Sequence, residues 1–251
     1  MLRLIIHGCN GAMGHMLCEE IASQEGMEVA AGVDLAQNSA YPFPVYTSWD
    51  ACKVEADAVI DFTVAAAADG VLEACRAKKL PLVLATTGLS AQQLAHVKEV
   101  SLEIPLVQSY NMSLGINTLA KVLEEISPLL AESGFDIELV EKHHRRKLDA
   151  PSGTALLLAD AAKKNLNGDY HYVYDRSSVR QSRDPHEIGI SSVRGGTIVG
   201  EHDVIFAGQD EVIELSHHAF SRTVFAKGAV AAARFLQGKE PGYYTMRDVI
   251  G

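Results

Sequence analysis

The stretch Glu141-Lys142-His143-His144-Arg145-Arg146-Lys147-Leu148-Asp149-Ala150-Pro151-Ser152-Gly153-Thr154-Ala155 sets two imidazoles and four cations beside a Pro-Ser-Gly-Thr turn that opens an apolar, helix-like run. Pro151 and Ser152 stand where a helix is entered and capped. The backbone N–H groups around Gly153 and Thr154 are therefore expected to face outward at the positive end of a helix dipole, where a carboxylate or phosphate would satisfy them. Any one of these residues alone reads as part of a basic surface turn before an ordinary capped helix. All of them together, in a chain of formal net charge −10, read as a local site for a small anion.

A second group of residues suits a nucleotide. The apolar run 2–6 leads into Gly8-Cys9-Asn10-Gly11-Ala12-Met13-Gly14 and then a helical-looking segment through Ile21. Strand, glycine turn, helix is the order of dinucleotide binding: Gly8 lets the chain turn sharply, Gly11 lets a pyrophosphate approach the backbone, and Gly14 lets helix and strand pack closely. The spacing is G-x-x-G-x-x-G, and glycine turns also arise for steric reasons alone. A second strand over 27–33 strengthens the nucleotide reading, because it ends in Asp34, at the spacing of the acidic residue that binds ribose hydroxyls.

With these motifs the chain resembles, over essentially its whole length, the dihydrodipicolinate reductase family, the 4-hydroxy-tetrahydrodipicolinate reductases of bacterial lysine and diaminopimelate synthesis. The resemblance rests on the 8–14 loop, Ala85-Thr86-Thr87-Gly88, Asn111-Met112-Ser113-Leu114-Gly115, the 141–155 motif, Val199-Gly200-Glu201-His202, Ser221-Arg222 and Phe225-Ala226. The His-His motif is the most specific of these. The resemblance implies an NAD(P)H-dependent oxidoreductase acting on a cyclic dicarboxylate with an imine-like nitrogen. Loss of water from the 4-hydroxy compound gives a conjugated ring, which the hydride reduces. His143 then matches the catalytic histidine and Lys147 the proton donor, while His144, Ser152, Gly153 and Thr154 match substrate-binding positions. The cofactor is expected against Gly8-Cys9-Asn10-Gly11-Ala12-Met13, Asp34, Ala85-Thr86-Thr87 and Tyr110-Asn111-Met112-Ser113. The resemblance also implies a homotetramer built around antiparallel sheets. No metal is expected, because no further ligand types stand at zinc spacing.

The positioning elements follow from periodicity. Apolar strands recur near 2–8, 27–33, 57–62, 81–85 and 105–108, separated by helical segments such as 65–78 and 91–101, the alternation of a doubly wound, Rossmann-type parallel sheet. Ligands of such a sheet lie at the strands' carboxyl ends, where Gly8, Asp34, Thr63, Thr86, Thr87 and Asn111 fall in one crevice. Thr86, Thr87 and Asn111 equally suit turns and caps, and it is the resemblance that assigns them to the cofactor. A helix is expected from 114 to about 128. Strands over 135–141, 188–194, 197–206 and 211–217 then have no helices among the last three, which predicts a second α+β domain with a mainly antiparallel sheet. Residues 163–185 read as a polar loop open to movement, and 225–236 as a helix. The resemblance returns this last helix to the nucleotide domain, giving 1–113 with 223–251 for the dinucleotide and 114–222 for substrate binding and oligomerisation.

Neighbouring strand residues point to opposite faces, so His143 and His144 cannot both face a ligand unless the strand ends there. An imidazole can give or withhold a proton near neutral pH, and a lysine among carboxylates can donate one or simply neutralise charge. Arg145 and Arg146 suit a solvated or inter-subunit face, His217 and His218 a structural or interface role, and Glu201 with His202 an architectural one. The acidic balance argues against nucleic acid or anionic membrane as partner. No run is long enough to span a bilayer, and the opening residues lack a signal-peptide pattern, so a cytoplasmic location is expected. Cys9, Cys18, Cys52 and Cys75 form no C-x-x-C pair and suit reduced, buried thiols. A semialdehyde dehydrogenase of similar plan would need a nucleophilic cysteine in the second domain, and none follows Cys75. A nucleotide-sensing regulator without turnover would keep the glycine loop but has no need of the His-His-Lys and Ser-Gly-Thr cluster. After Asp34 come Leu35, Ala36 and Gln37, with no lysine or arginine before Lys53, so NADH is expected to be preferred over NADPH.

Overall fold

The structure is a computed structural model that describes residues 1–251. In chain order the elements are β1 (Leu2–His7), α1 (Ala12–Ala22), β2 (Met27–Val33), β3 (Val45–Tyr46), β4 (Ala58–Asp61), α2 (Ala68–Lys78), β5 (Leu82–Leu84), α3 (Ala91–Ser101) and β6 (Pro105–Gln108). Then come α4 (Leu114–Glu132), β7 (Asp136–His143), α5 (Gly153–Lys163), β8 (His171–Val173), β9 (Glu187–Arg194), β10 (Gly200–Ala207) and β11 (Val212–Ala219). Last are α6 (Thr223–Phe235), β12 (Gly242–Tyr244) and α7 (Met246–Ile250). Residues 1–114 with 222–251 form one compact unit, and 115–221 form another.

In the first unit seven strands make a wholly parallel sheet in the order β12-β6-β5-β4-β1-β2-β3. The chain runs outward one way through β2 and β3, then returns to the middle and runs the other way through β4, β5 and β6. The order therefore reverses between β1 and β4, where a doubly wound sheet takes its ligand. The apolar run of β1 serves both faces: Leu4 and Ile6 pack into the cluster with α1 and α6, and Ile5 into the cluster with α2 and α3. Two edge strands escaped the sequence reading, β3 with two residues and β12 with three, because neither is long enough to show a period.

In the second unit the sheet order is β11-β10-β7-β9-β8. The expected α+β unit is present, and its mainly antiparallel sheet also contains parallel pairs. β10 pairs antiparallel with β7 and β11, but β9 pairs parallel with both β7 and β8, so the sheet is mixed. The crossover through α5 permits the parallel pairing of β7 with β9, whereas the short turns into β10 and β11 enforce antiparallel pairing. The inward residues of β7, Ile137 and Leu139, join Val204, Phe206 and Ile190 beneath α4 and α5. α4 continues past Pro128 to Glu132. The proline lacks the N–H that would bond the carbonyl of Glu124, and Asn165 Nδ2 donates to that carbonyl instead at 3.0 Å. Residues 163–185 are likewise more ordered than a polar loop, for they include β8. Arg183 also fastens the segment to Asp136 and Glu138 and to the carbonyls of Ile137 and Glu187.

Candidate active site

Register brings the chemistry of the second unit together. Glu141 of β7 lies opposite Ser192 of β9 and opposite His202 of β10, and His143 lies opposite Arg194. All are on the inward face, two residues apart along each strand, continuing the rows that bury Ile137, Leu139 and Val204. A carboxylate on a core face must be matched. Glu141, with no exposed side chain, accepts from His143 Nδ1 at 2.6 Å, Arg194 Nη1 and Nη2 at 2.7 Å each, Ser192 Oγ at 2.8 Å and Ser152 N at 3.1 Å. Burial pushes this carboxyl up, but the bonds from Arg194, His143 and Ser192 outweigh it and hold it down at about 2.

The consequence falls on His143. An ionised Glu141 can only accept, so His143 Nδ1 carries the hydrogen. Burial holds the imidazole below its usual range despite the Glu141 carboxylate, and the charges of Lys147 and Arg194 act in the same direction as burial. The ring is therefore neutral near pH 7, with its lone pair at Nε2. That nitrogen borders Gly200, where an added Cβ would lie only 3.1 Å from it. β7 ends at His143, so His144 belongs to the following turn and is freed from strand alternation. His144 Nδ1 is buried and has no hydrogen-bond partner.

Beyond the strand, Lys147 N donates to His144 O at 3.1 Å, and Lys147 Nζ pairs with Asp149 Oδ1 at 2.8 Å. Arg145 and Arg146 are exposed. Ser152 is the N-cap of α5: its Oγ accepts from Ala155 N at 3.0 Å. The same hydroxyl meets His202 Nε2 at 3.1 Å, and burial presses His202 down to about 3, so a neutral imidazole props the cap. Gly153 is exposed, with open space where a side chain would project. His143, His144, Lys147, Ser152, Gly153 and Thr154 thus all belong to one end of the second unit, around the start of α5.

The first unit presents the glycine turn. Gly8 has φ +83°, and Gly11 is the N-cap of α1, which no side chain caps. A Cβ at Gly14 would lie 2.1 Å from Gly8 O, so close helix–strand packing demands glycine there. At Gly11 the nearest atom would be Gly8 O at 3.3 Å, which leaves the approach to the helix end open. Asp34 follows β2, its Oδ2 accepting from Asn10 N at 2.8 Å and its Oδ1 from Leu35 N at 2.7 Å. An uncapped helix end at a glycine turn, with a carboxylate beside it, fits a dinucleotide. Cys9 lies buried in this turn, and burial raises its thiol to about 11, which leaves it unreactive. Of the other expected cofactor positions, Ala85, Thr86, Asn111, Met112 and Ser113 are buried, while Ala12, Thr87 and Tyr110 are exposed and Met13 half-buried. The Thr86 hydroxyl is committed to Asp61 Oδ2 at 2.5 Å, and Thr63 donates to Asp61 Oδ1 at 2.7 Å. Helix α6 approaches so closely that a Cβ on Gly228 would lie 1.6 Å from Met112 O.

Comparison with known proteins decides the family. The family model described as dihydrodipicolinate reductase, N-terminus, matches residues 2–112, and that described as dihydrodipicolinate reductase, C-terminus, matches residues 115–250. The chain belongs to the dihydrodipicolinate reductase family. It is 52% identical to the 4-hydroxy-tetrahydrodipicolinate reductase of Caldanaerobacter subterraneus subsp. tengcongensis, covering 100% of this chain and 98% of the relative. It is 44% identical to the enzyme of the same name from Clostridium novyi, with coverage of 100% and 98%. The dihydrodipicolinate reductase of Paenisporosarcina sp. TG-14, solved with dipicolinate bound, shares the fold at TM-score 0.80 and 22% identity over 100% of both chains. The protein is accordingly an NAD(P)H-dependent oxidoreductase that reduces 4-hydroxy-tetrahydrodipicolinate with loss of water.

Within this reductase fold several supporting residues were invisible to sequence reading. Ser192 and Arg194 lie about fifty residues from Glu141 and meet it only through the β7–β9 register. Asp61 would have been found by asking what a buried acid at the end of an apolar strand must bond. Asn38 and Tyr41, which contact the glycine turn, stand in a stretch without periodicity.

Proposed function

We propose that the second unit binds the cyclic dicarboxylate at the start of α5 and that the first unit binds the nicotinamide nucleotide at Gly8–Met13 and Asp34. One substrate carboxylate is taken by Gly153 and Thr154 at the positive end of α5, with Ser152 holding the turn and His144 offering its unpartnered nitrogen. Bound nucleotide supplies the hydride. The balance is one hydride and one proton added to the ring for each water lost from the 4-hydroxy compound.

The observation that carries the division of labour is the Glu141–His143 pair. With Nδ1–H fixed on Glu141 and the ring neutral, His143 is an acceptor at Nε2 and orients a substrate N–H or O–H; it is not the proton source. The Lys147 ammonium, tethered by Asp149, holds the proton that is delivered. A planar ring bearing two carboxylates, such as the dipicolinate bound by the Paenisporosarcina protein, suits this array of cations and outward N–H groups. A regulator without turnover would have no use for it.

The test is to follow nicotinamide absorbance with freshly made dihydrodipicolinate synthase product. His143→Ala and Lys147→Ala should each lower kcat at least a hundredfold while leaving nucleotide affinity within about twofold. Equal damage to nucleotide affinity counts against the assignment. NADH preference follows from Asp34, whose carboxylate suits ribose hydroxyls and repels an added phosphate. Assembly and location belong to the same proposal. Val193, Val212 and, at 91% exposure, Phe220 leave apolar surface on the second unit that a homotetramer would cover. A cytoplasmic location is part of this proposal, and no helix is long and apolar enough to cross a membrane. A monomer in sedimentation at micromolar concentration would refute the assembly.

A further inference from the structure

We infer that Asn10 and Asn38 form a clasp that positions Asp34 for the ribose hydroxyls and so sets the discrimination between NADH and NADPH. This rests on the reading of Asp34 given above, and goes beyond it in naming what holds the carboxylate and its loop.

Asn10 occupies the glycine turn and is used at three points. Its backbone N–H goes to Asp34 Oδ2 at 2.8 Å, its side-chain Nδ2 donates to Ala36 O at 2.9 Å, and its Oδ1 accepts from Asn38 Nδ2 at 3.0 Å. Asn38 closes its own turn by accepting from Ala40 N at 3.0 Å. Three residues on, Tyr41 donates its hydroxyl hydrogen to Cys9 O at 2.7 Å, so His15 Nδ1, also at 2.7 Å, must be the donor to the phenolic oxygen. Tyr41 stacks on Phe43 with ring centroids 4.6 Å apart. The loop after β2 is thus sewn to the glycine turn at Asn10, Cys9 and His15.

Two consequences follow. Each Asp34 oxygen spends one lone pair on a backbone N–H and keeps another, so the carboxylate is oriented to accept two neighbouring hydroxyls at once. The clasp also holds in place a loop that carries no cation, Leu35-Ala36-Gln37-Asn38-Ser39-Ala40, with Leu35 97% exposed. A loop free to rearrange could make room for a 2′-phosphate or let a distant basic side chain reach it. A clasped loop cannot.

The test is calorimetric binding of NADH and NADPH, without substrate, to wild type, Asn38→Ala, Asn38→Asp and Asp34→Ala, with thermal midpoints in parallel. Asn38→Asp keeps the acceptor for Ala40 N but loses the donor to Asn10, so it separates the clasp from the local turn. Both Asn38 variants should raise the NADH Kd about tenfold, the loss expected when an orienting hydrogen bond and its dependent geometry go, and Asn38→Ala, which adds no charge, should leave the NADPH Kd within about twofold. Adding Asn38→Ala to Asp34→Ala should change NADH binding no further. Equal weakening of both nucleotides, no change in either, or a further loss in the double variant would overturn the clasp. If wild type binds NADPH more tightly, the reading of Asp34 fails. The clasp is then still supported by unequal shifts of the two nucleotides and overturned by equal ones.

Discussion

Replacing Glu141 by Gln exchanges one oxygen for an NH2 group, yet five donors converge on the carboxylate. One carboxylate oxygen receives three of them, from Ser152 N, Ser192 Oγ and Arg194 Nη2, and the other receives two, from His143 Nδ1 and Arg194 Nη1. The amide will turn its NH2 toward the side with fewer donors, which is the side of His143. There the clash is relieved if the imidazole moves its hydrogen from Nδ1 to Nε2. The variant therefore presents a donor where wild type presents an acceptor, and kcat/KM should fall by roughly 10² to 10⁴, the range of a lost acid–base or orienting group. Arg194 also loses its ionic partner. Breaking a buried pair costs about 3–5 kcal/mol, and the lower end applies because Arg194 keeps 20% exposure. At roughly 2–4 °C per kcal/mol for a chain of this size, about 3 kcal/mol should lower Tm by about 6–12 °C. Nicotinamide absorbance measures the first effect, thermal unfolding the second, and nitrogen-edited NMR of the His143 ring reads the tautomer directly. A variant with kcat/KM within about threefold of wild type and an unchanged tautomer would refute the reasoning.

Four further outcomes are expected. Gly14→Ala should abolish nucleotide binding and destabilise the fold by about 1–3 kcal/mol, because backbone atoms 2.1–2.6 Å from the new Cβ cannot yield. Gly11→Ala, whose nearest backbone atom is 3.3 Å away, should fold normally in a thermal melt and lose only nucleotide affinity in a binding titration. Acid should destabilise the protein in two stages. His202 is depressed to about 3, so below its unfolded value of 6.5 the unfolded chain takes up a proton that the folded one refuses, and stability falls until about pH 3. Glu141, depressed from 4.5 to about 2, adds a loss of the same sign between those values. His202→Gln should flatten the slope of Tm between pH 6.5 and 4.5, and an unchanged slope would show that His202 is not its source. Finally, Leu35→Arg should shift the ratio of kcat/KM values toward NADPH by roughly tenfold, on the order of 1.4 kcal/mol, since this side chain is free in solvent beside Asp34.

The first unit was legible because its signals are local. A strand, a glycine turn and a helix lie within about twenty residues of one another, and each glycine's role depends on neighbours close in sequence, as the 2.1 Å approach of a Cβ on Gly14 to Gly8 O demonstrates. The second unit was legible only along its strands. Alternation from Asp136 to His143 already puts Ile137, Leu139, Glu141 and His143 on one face. It does not say which strand lies beside β7. That depends on whether the α5 crossover returns the chain parallel or antiparallel, a choice made by packing across the whole sheet.

Parallel return is what makes the site possible. In the parallel register Glu141 faces Ser192 and His143 faces Arg194, so the guanidinium reaches both oxygens of the buried carboxylate from the next strand. On the other side, β10 runs antiparallel and puts His202 level with Glu141, near enough for its Nε2 to meet the Ser152 hydroxyl. A buried acid in a core row is costly unless several donors converge on it. Here the donors come from β7, β9 and the cap of α5, so the contacts that make the charge tolerable also fix the tautomer of His143 and the entry of α5. Stability and chemistry share these atoms, which is why Glu141→Gln should lower activity and Tm together, whereas a change confined to the exposed Arg145 or Arg146 should leave Tm where it is.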